Sequence, residues 1–179
     1  MANKKNILLG VTGSIAAYKA CDIINRLKRS YNVVAIMTAE AKFFISPLTL
    51  QTLSGNKVIT DMFELPDNFD PLHTSLAEKA DLVLIAPATA NIIGKLACGL
   101  CDDILSCAVL ATDAPVLIAP AMNERMYNHK SVKANISKLK EFGYKFIGPV
   151  TGELACGYRG MGHLADTDDI IAAVKKVLR

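Results

Sequence analysis

Two stretches of this chain, "DLVLIAP" at 81–87 and "APVLIAP" at 114–120, are apolar almost from end to end and finish on the same Ile-Ala-Pro. A strand with one wet face alternates apolar and polar residues, whereas a continuous run buries both faces. "NILLGVT" (6–12) and "YNVVAIM" (31–37) are shorter runs of the same kind. Between the runs the apolar period lengthens to that of a helix. "IAAYKACDIINRLKR" (15–29) repeats through Ile15, Tyr18, Ile23, Ile24 and Leu27. "SPLTLQTLSG" (46–55) has Pro47 in its first turn and Gly55 at its end. "SVKANISKLKEFG" is stopped by Gly143, and the last helix, from 166, has Asp166 or Thr167 as its N-cap. "KVITDMF" (57–63) reads as a more exposed strand, and "YKFIGP" (144–149) as a late one.

Doubly buried strands alternating with helices predict an α/β fold: a doubly wound, Rossmann/flavodoxin-like parallel sheet in three layers, forming a single domain over 1–179. Such sheets bind ligands beyond the carboxyl ends of their strands, where the strand order reverses. Four strand ends carry unusual residues: "TGSIAA", "MTAEAKFF", "PATAN" and "PAMNERM". The fold gathers all four on one rim.

The length of 179 residues suits one domain, and 51% apolar residues are enough for a sizeable core. No apolar run is long enough to span a bilayer, so no membrane partner is expected. The N-terminal lysines and apolar residues imitate a signal peptide, but Gly and Ser interrupt the run at once. It reads as the first strand, and the expected location is cytoplasmic. Net charge is +3 with scattered basic residues, which leaves no nucleic-acid footprint. Five cysteines, unevenly spaced, argue against a disulfide framework. "CGLC" at 98–101 lacks a second pair or a nearby His; no metal is expected, and core packing is its default role.

"GVTGSIAAYK" (10–19) opens a helix. Gly13 permits a tight turn, and Ser14 offers a hydroxyl and an N–H where anions are favoured. The glycine spacing is neither the dinucleotide fingerprint nor a P-loop. It suits a single phosphate, hence a mononucleotide such as FMN, with Thr38 as a second contact. Ser14 alone is equally an ordinary N-cap.

Five pieces together, "GSIAAYK", "LH" at 72–73, "PATAN" at 87–91, "PAMNERMY" at 120–127 and "GELACGYRGMGHLAD" at 152–166, resemble the FMN-dependent cysteine decarboxylases. The closest resemblance is to the monofunctional phosphopantothenoylcysteine decarboxylases of coenzyme A biosynthesis, and it runs over about residues 6 to 178. It implies that FMN is held by Gly13, Ser14, Ile15, Thr38, Phe44, Thr89, Ala90, Asn91 and Ala121. It implies His73 as the active-site histidine and Cys156 as the proton donor, carried on a flexible flap around 150–165. Asn123, Met126 and Ala155 would contact the substrate, Asn123 through its carboxylate. It implies a homotrimer, or a dodecamer of trimers, with active sites between subunits, so that Phe44 and His73 serve a neighbour. A separate phosphopantothenate–cysteine ligase would make the substrate. The chain departs from the family at Thr89 and Ile92, where Ser and Thr are usual, and at Tyr127, where Trp is frequent. Glu78 and Lys79 stand where relatives carry Arg-Trp, which leaves the substrate phosphate without an assigned partner.

The chemistry agrees with that set. An acylated nitrogen cannot form the imine that other decarboxylases use. Hydride removal from the carbon bearing sulfur gives a thioaldehyde, whose C=S accepts the electron pair as CO₂ leaves; the hydride then returns as an acid protonates the other carbon. FMN supplies the electronics, and the protein supplies geometry and protons. His73 suits a base or thiol-orienting role near neutral pH. Cys156 lies among glycines that permit a lid. His129 and His163 read as surface or loop residues. The alternatives on this fold are a flavin prenyltransferase, a peptidyl-cysteine decarboxylase and a non-catalytic FMN-binding regulatory subunit.

Overall fold

The computed structural model describes residues 4–63, 71–155 and 157–179. Five parallel strands form the central sheet: β1 (Asn6–Val11), β2 (Asn32–Met37), β3 (Leu82–Ala88), β4 (Val116–Pro120) and β5 (Lys145–Phe146). Their order is β2-β1-β3-β4-β5, so the winding reverses between β1 and β3. Every residue of β3 and β4 is buried, as their unbroken apolar sequences require.

Alternate residues feed two cores. Ile7, Leu9, Leu84 and Leu117 join a cluster with helices α1 (Ala20–Leu27), α2 (Pro47–Ser54) and α8 (Thr167–Val177). Leu8, Val83, Ile85 and Ile118 face the other way, onto α4 (Ala90–Cys98), α5 (Ile104–Ala111) and α7 (Lys130–Glu141). Helix α3 (Leu72–Lys79) packs on α5. Each such Leu or Ile contributes about 1.5–3 kcal/mol by leaving water.

Local signals set the helix ends. Ser46 caps α2 by accepting from Leu48 N, Pro47 follows it, and Gly55 closes the helix at φ 74°. Asp103 and Ser106 form a reciprocal capping box at the start of α5. The short α6 (Glu124–Asn128) follows β4, and an antiparallel hairpin of β6 (Val150–Glu153) and β7 (Arg159–His163) precedes α8.

Three expectations are corrected. Residues 57–63 form no strand: Ile59 alone bridges to Ile36 at the sheet edge, because only Val58 and Ile59 are buried while Lys57 and Asp61 stay in solvent. Residues 15–29 are not one helix. Ile15–Lys19 is a 3-10 turn whose three-residue period leaves Ile15 and Tyr18 exposed, off the stripe formed by Ile23, Ile24 and Leu27. Cys98 and Cys101 are exposed rather than packed in the core, since Gly99 at φ 70° turns the chain outward after α4.

Candidate active site

Two cavities lie at the carboxyl ends of the strands. The smaller, about 100 Å³, sits where the winding reverses. Thr12 and Gly13 reach it from β1, Thr38 from β2, and Thr89 and Asn91 from β3. Thr12 fastens the first and third ends together: its hydroxyl donates to Pro87 O (2.7 Å) and accepts from Thr89 N (3.1 Å). Thr89 also caps α4 through Ile92 N. Gly13 is required by close approach, since a Cβ there would lie 2.4 Å from Glu40 Cβ. Thr38 is buried, yet its hydroxyl has no hydrogen-bond partner among the described residues. Leaving such a group unpaired costs about 1–3 kcal/mol, which a polar ligand would recover.

Asp103 lines the same cavity. Burial opposes its ionisation, but the Lys95 ammonium (2.7 Å) and the Ser106 N–H (2.8 Å) hold its carboxyl below the ordinary range.

The larger cavity, about 470 Å³, lies between the 3-10 turn, the loop after β4 and the hairpin. Ser14, Ile15 and Lys19 line one side, Ala121 and Asn123 the second, Ala155 and His163 the third. Ser14 Oγ accepts from Ala16 N (3.3 Å), so it is an N-cap as well as a cavity wall.

Asn123 carries two tasks. Its Oδ1 caps α6 by accepting from Arg125 N (2.9 Å), and its Nδ2 donates to the Tyr158 hydroxyl (3.2 Å) across the hairpin turn. Two further contacts dock the hairpin here. Glu124 Oε1 accepts from Met161 N (3.0 Å), and Met122 N donates to Gly162 O (3.0 Å). Gly162 has φ 142°, and a Cβ on it would meet Met122 O at 2.1 Å, so no other residue fits.

The expected residues thus divide. Gly13, Thr38, Thr89 and Asn91 share the smaller cavity; Ser14, Ile15, Ala121, Asn123 and Ala155 share the larger. Ala90 starts α4 and packs into the core. Phe44 and Met126 are exposed, and His73 is half-buried on α3; none of the three lines either cavity. Cys156 lies outside the described residues. No cluster of metal-ligating side chains occurs among the described residues.

His163 is neither the surface nor the loop residue its context suggested: it ends β7, is half-buried and faces the larger cavity. Its Nε2 lies 3.1 Å from Lys19 Nζ, and its Nδ1 lies 3.1 Å from Glu153 O. An ammonium only donates, so Nε2 accepts and the ring hydrogen sits on Nδ1. Sequence reasoning also passed over Thr12, Lys19, Glu124 and Tyr158. Lys19 and Glu124 stand inside the quoted motifs, but their partners are distant in sequence.

The family model described as Flavoprotein matches residues 1–179, and the chain belongs to that family. It is 50% identical over 177 residues to the "Coenzyme A biosynthesis bifunctional protein CoaBC" of Bacillus subtilis, covering 98% of this chain and 44% of that protein. The chain therefore spans less than half the length of such bifunctional relatives. It is 48% identical over 177 residues to the "Probable phosphopantothenoylcysteine decarboxylase" of Streptococcus mutans, covering 97% of this chain and 99% of that one. Among solved structures, a cysteine-to-serine mutant of PPC decarboxylase complexed with pantothenoylaminoethenethiol superposes with a TM-score of 0.87 at 32% identity, covering 97% of this chain and 98% of that chain. The FMN-dependent cysteine decarboxylase SpaF gives a TM-score of 0.85 at 30% identity, over 97% of this chain and 95% of its own.

Proposed function

We propose that this protein binds FMN and decarboxylates phosphopantothenoylcysteine to phosphopantetheine, a step of coenzyme A biosynthesis. The observation that carries the reading is the Asn123 amide, which lines a cavity of about 470 Å³ from a helix cap and donates through Nδ2 to the Tyr158 hydroxyl of the hairpin. Relatives named for this decarboxylation, and a solved complex with an enethiol, support it.

The residues present fit FMN. The unpartnered Thr38 hydroxyl, the Gly13 backbone, and Thr89 and Asn91 offer it polar contacts at the sheet reversal, and the buried Ala121 lets a flat ring approach the loop after β4. When bound, FMN supplies the reversible hydride acceptance that an N-acyl cysteine needs in order to lose CO₂.

This chain supplies the rest. Asn123 Nδ2 donates to the substrate carboxylate. A neutral amide orients that group without the full charge pairing that would favour its retention. The hairpin, held by Glu124 and Gly162, covers the cavity and limits water. A proton must replace CO₂ on the carbon, and Cys156 is the donor in this reading. His73 orients or deprotonates the thiol from a neighbouring copy, because it lines neither cavity of its own chain. A trimer is supported by exposed Ile15, Tyr18, Phe43, Phe44 and Leu48, all on elements that follow the adjacent strands β1 and β2. A separate ligase supplies the substrate. No helix among the described residues is long and apolar enough to cross a membrane, in keeping with the cytoplasmic setting of this reading.

The test is incubation of the FMN-loaded protein with phosphopantothenoylcysteine. The expected result is release of CO₂ and formation of phosphopantetheine. Cys156→Ser should still release CO₂ while the reduced product disappears; a full yield of phosphopantetheine from that variant removes Cys156 from the proposed role.

A further inference from the structure

We infer that Lys19 is the subsite for the substrate's phosphate and that His163 is the positioning residue that holds it there. The inference rests on the decarboxylase reading and deepens it. A phosphopantothenoyl compound carries a carboxylate at one end and a phosphomonoester at the other, so a site that orients it needs two anion contacts. Asn123 serves the first. Among the described residues lining the larger cavity, Lys19 is the one Lys or Arg. It is half-buried, and no carboxylate lies within ion-pair distance of it among the described residues. A cation partly withdrawn from water without a counter-charge is an incomplete arrangement that an anion completes.

His163 makes the arrangement directional. Its ring is fixed by the Glu153 carbonyl at Nδ1, and Nε2 takes one N–H of the ammonium. Two N–H groups of Lys19 then remain for a phosphate. The lysine rides on the 3-10 turn, and the histidine on β7, 144 positions later, so the contact also ties the hairpin to the first loop. The cavity that holds Lys19 also holds Asn123 and Ala155, the expected substrate contacts, beside Ser14, Ile15 and Ala121, the expected cofactor contacts. The separate cavity around Thr38 offers FMN its polar contacts, which leaves the Lys19 ammonium to the substrate's anion.

The experiment is equilibrium binding to the FMN-loaded protein of phosphopantothenoylcysteine and of pantothenoylcysteine, which lacks the phosphate, followed by steady-state turnover of both. Wild type should bind the phosphorylated compound at least about tenfold more tightly, the scale of one charge-assisted contact. Lys19→Gln should erase that preference, with the loss confined to the phosphorylated compound and appearing in KM rather than kcat. Lys19→Arg should retain it. His163→Leu should weaken the preference. His163→Gln should restore it, because an amide can both accept from Lys19 and donate to Glu153 O. A preference that survives Lys19→Gln, or that is indifferent to His163→Leu, overturns the inference. So does a fall in affinity for FMN relative to riboflavin in Lys19→Gln, which would give the anion to the cofactor. Preferential binding without turnover in the wild type would condemn the decarboxylase reading and leave the subsite standing.

Discussion

The two sides of the site are built in different ways. The smaller cavity is made of strand ends: Gly13, Thr38 and Thr89 are each one or two residues beyond β1, β2 and β3, and the sheet ladder fixes their relative positions. The hairpin side has no ladder to the main sheet among its described residues. It is held to α6 and to the loop after β4 by Glu124 to Met161 N, Asn123 to Tyr158 and Met122 N to Gly162 O. A cofactor that stays through every cycle suits the first kind of wall. A substrate that enters and leaves suits the second, whose few contacts open at lower cost than a sheet.

The largest effect that would break this comparison comes from Gly162→Ala. Its Cβ would fall 2.1 Å from Met122 O, and the φ of 142° is strained for any L side chain. The hairpin should undock, with a local cost of about 1–3 kcal/mol or more. Limited proteolysis should then cut between 150 and 163 much faster than in the wild type while FMN binding holds. Loss of FMN together with the hairpin would mean that the two sides are one unit.

A smaller effect sharpens the sheet side. Asp103 has its pKa held below the ordinary carboxylate value by Lys95 and Ser106, against the effect of burial. A depressed folded pKa adds stability above the unfolded value of about 3.9, and that stability is lost as pH falls through the folded value. Asp103→Asn should therefore be less stable than wild type at neutral pH, with the gap closing below about pH 4. Denaturant midpoints across that range check it; a gap independent of pH would remove the charge from the explanation.

What was legible in the sequence follows the same division. The buried strands, the Pro47 and Gly55 ends of α2 and the Gly143 stop of α7 are local signals, and the structure has them where the sequence put them. The gathering of "TGSIAA", "PATAN" and "PAMNERM" on one rim follows from parallel topology alone. The failures are non-local. Whether 57–63 pairs along its length depends on the sheet edge it meets. Ile15 and Tyr18 carry a helical spacing that a 3-10 turn turns out to solvent. His163 took a surface or loop reading because its partner, Lys19, lies 144 residues away.

The measurement that bears most directly on the division of the site is a paired one: FMN affinity and turnover in Thr38→Val and in Asn123→Asp. Thr38→Val removes a buried hydroxyl with no partner among the described residues. The FMN-free protein should be as stable as wild type or more so, while FMN affinity falls by about tenfold or more. Asn123→Asp keeps an oxygen to cap α6 but replaces the donor with a charge that repels the substrate carboxylate. Its turnover should fall by about a hundredfold or more with FMN affinity unchanged. Loss of FMN from Asn123→Asp, or unchanged FMN binding in Thr38→Val, would contradict the account.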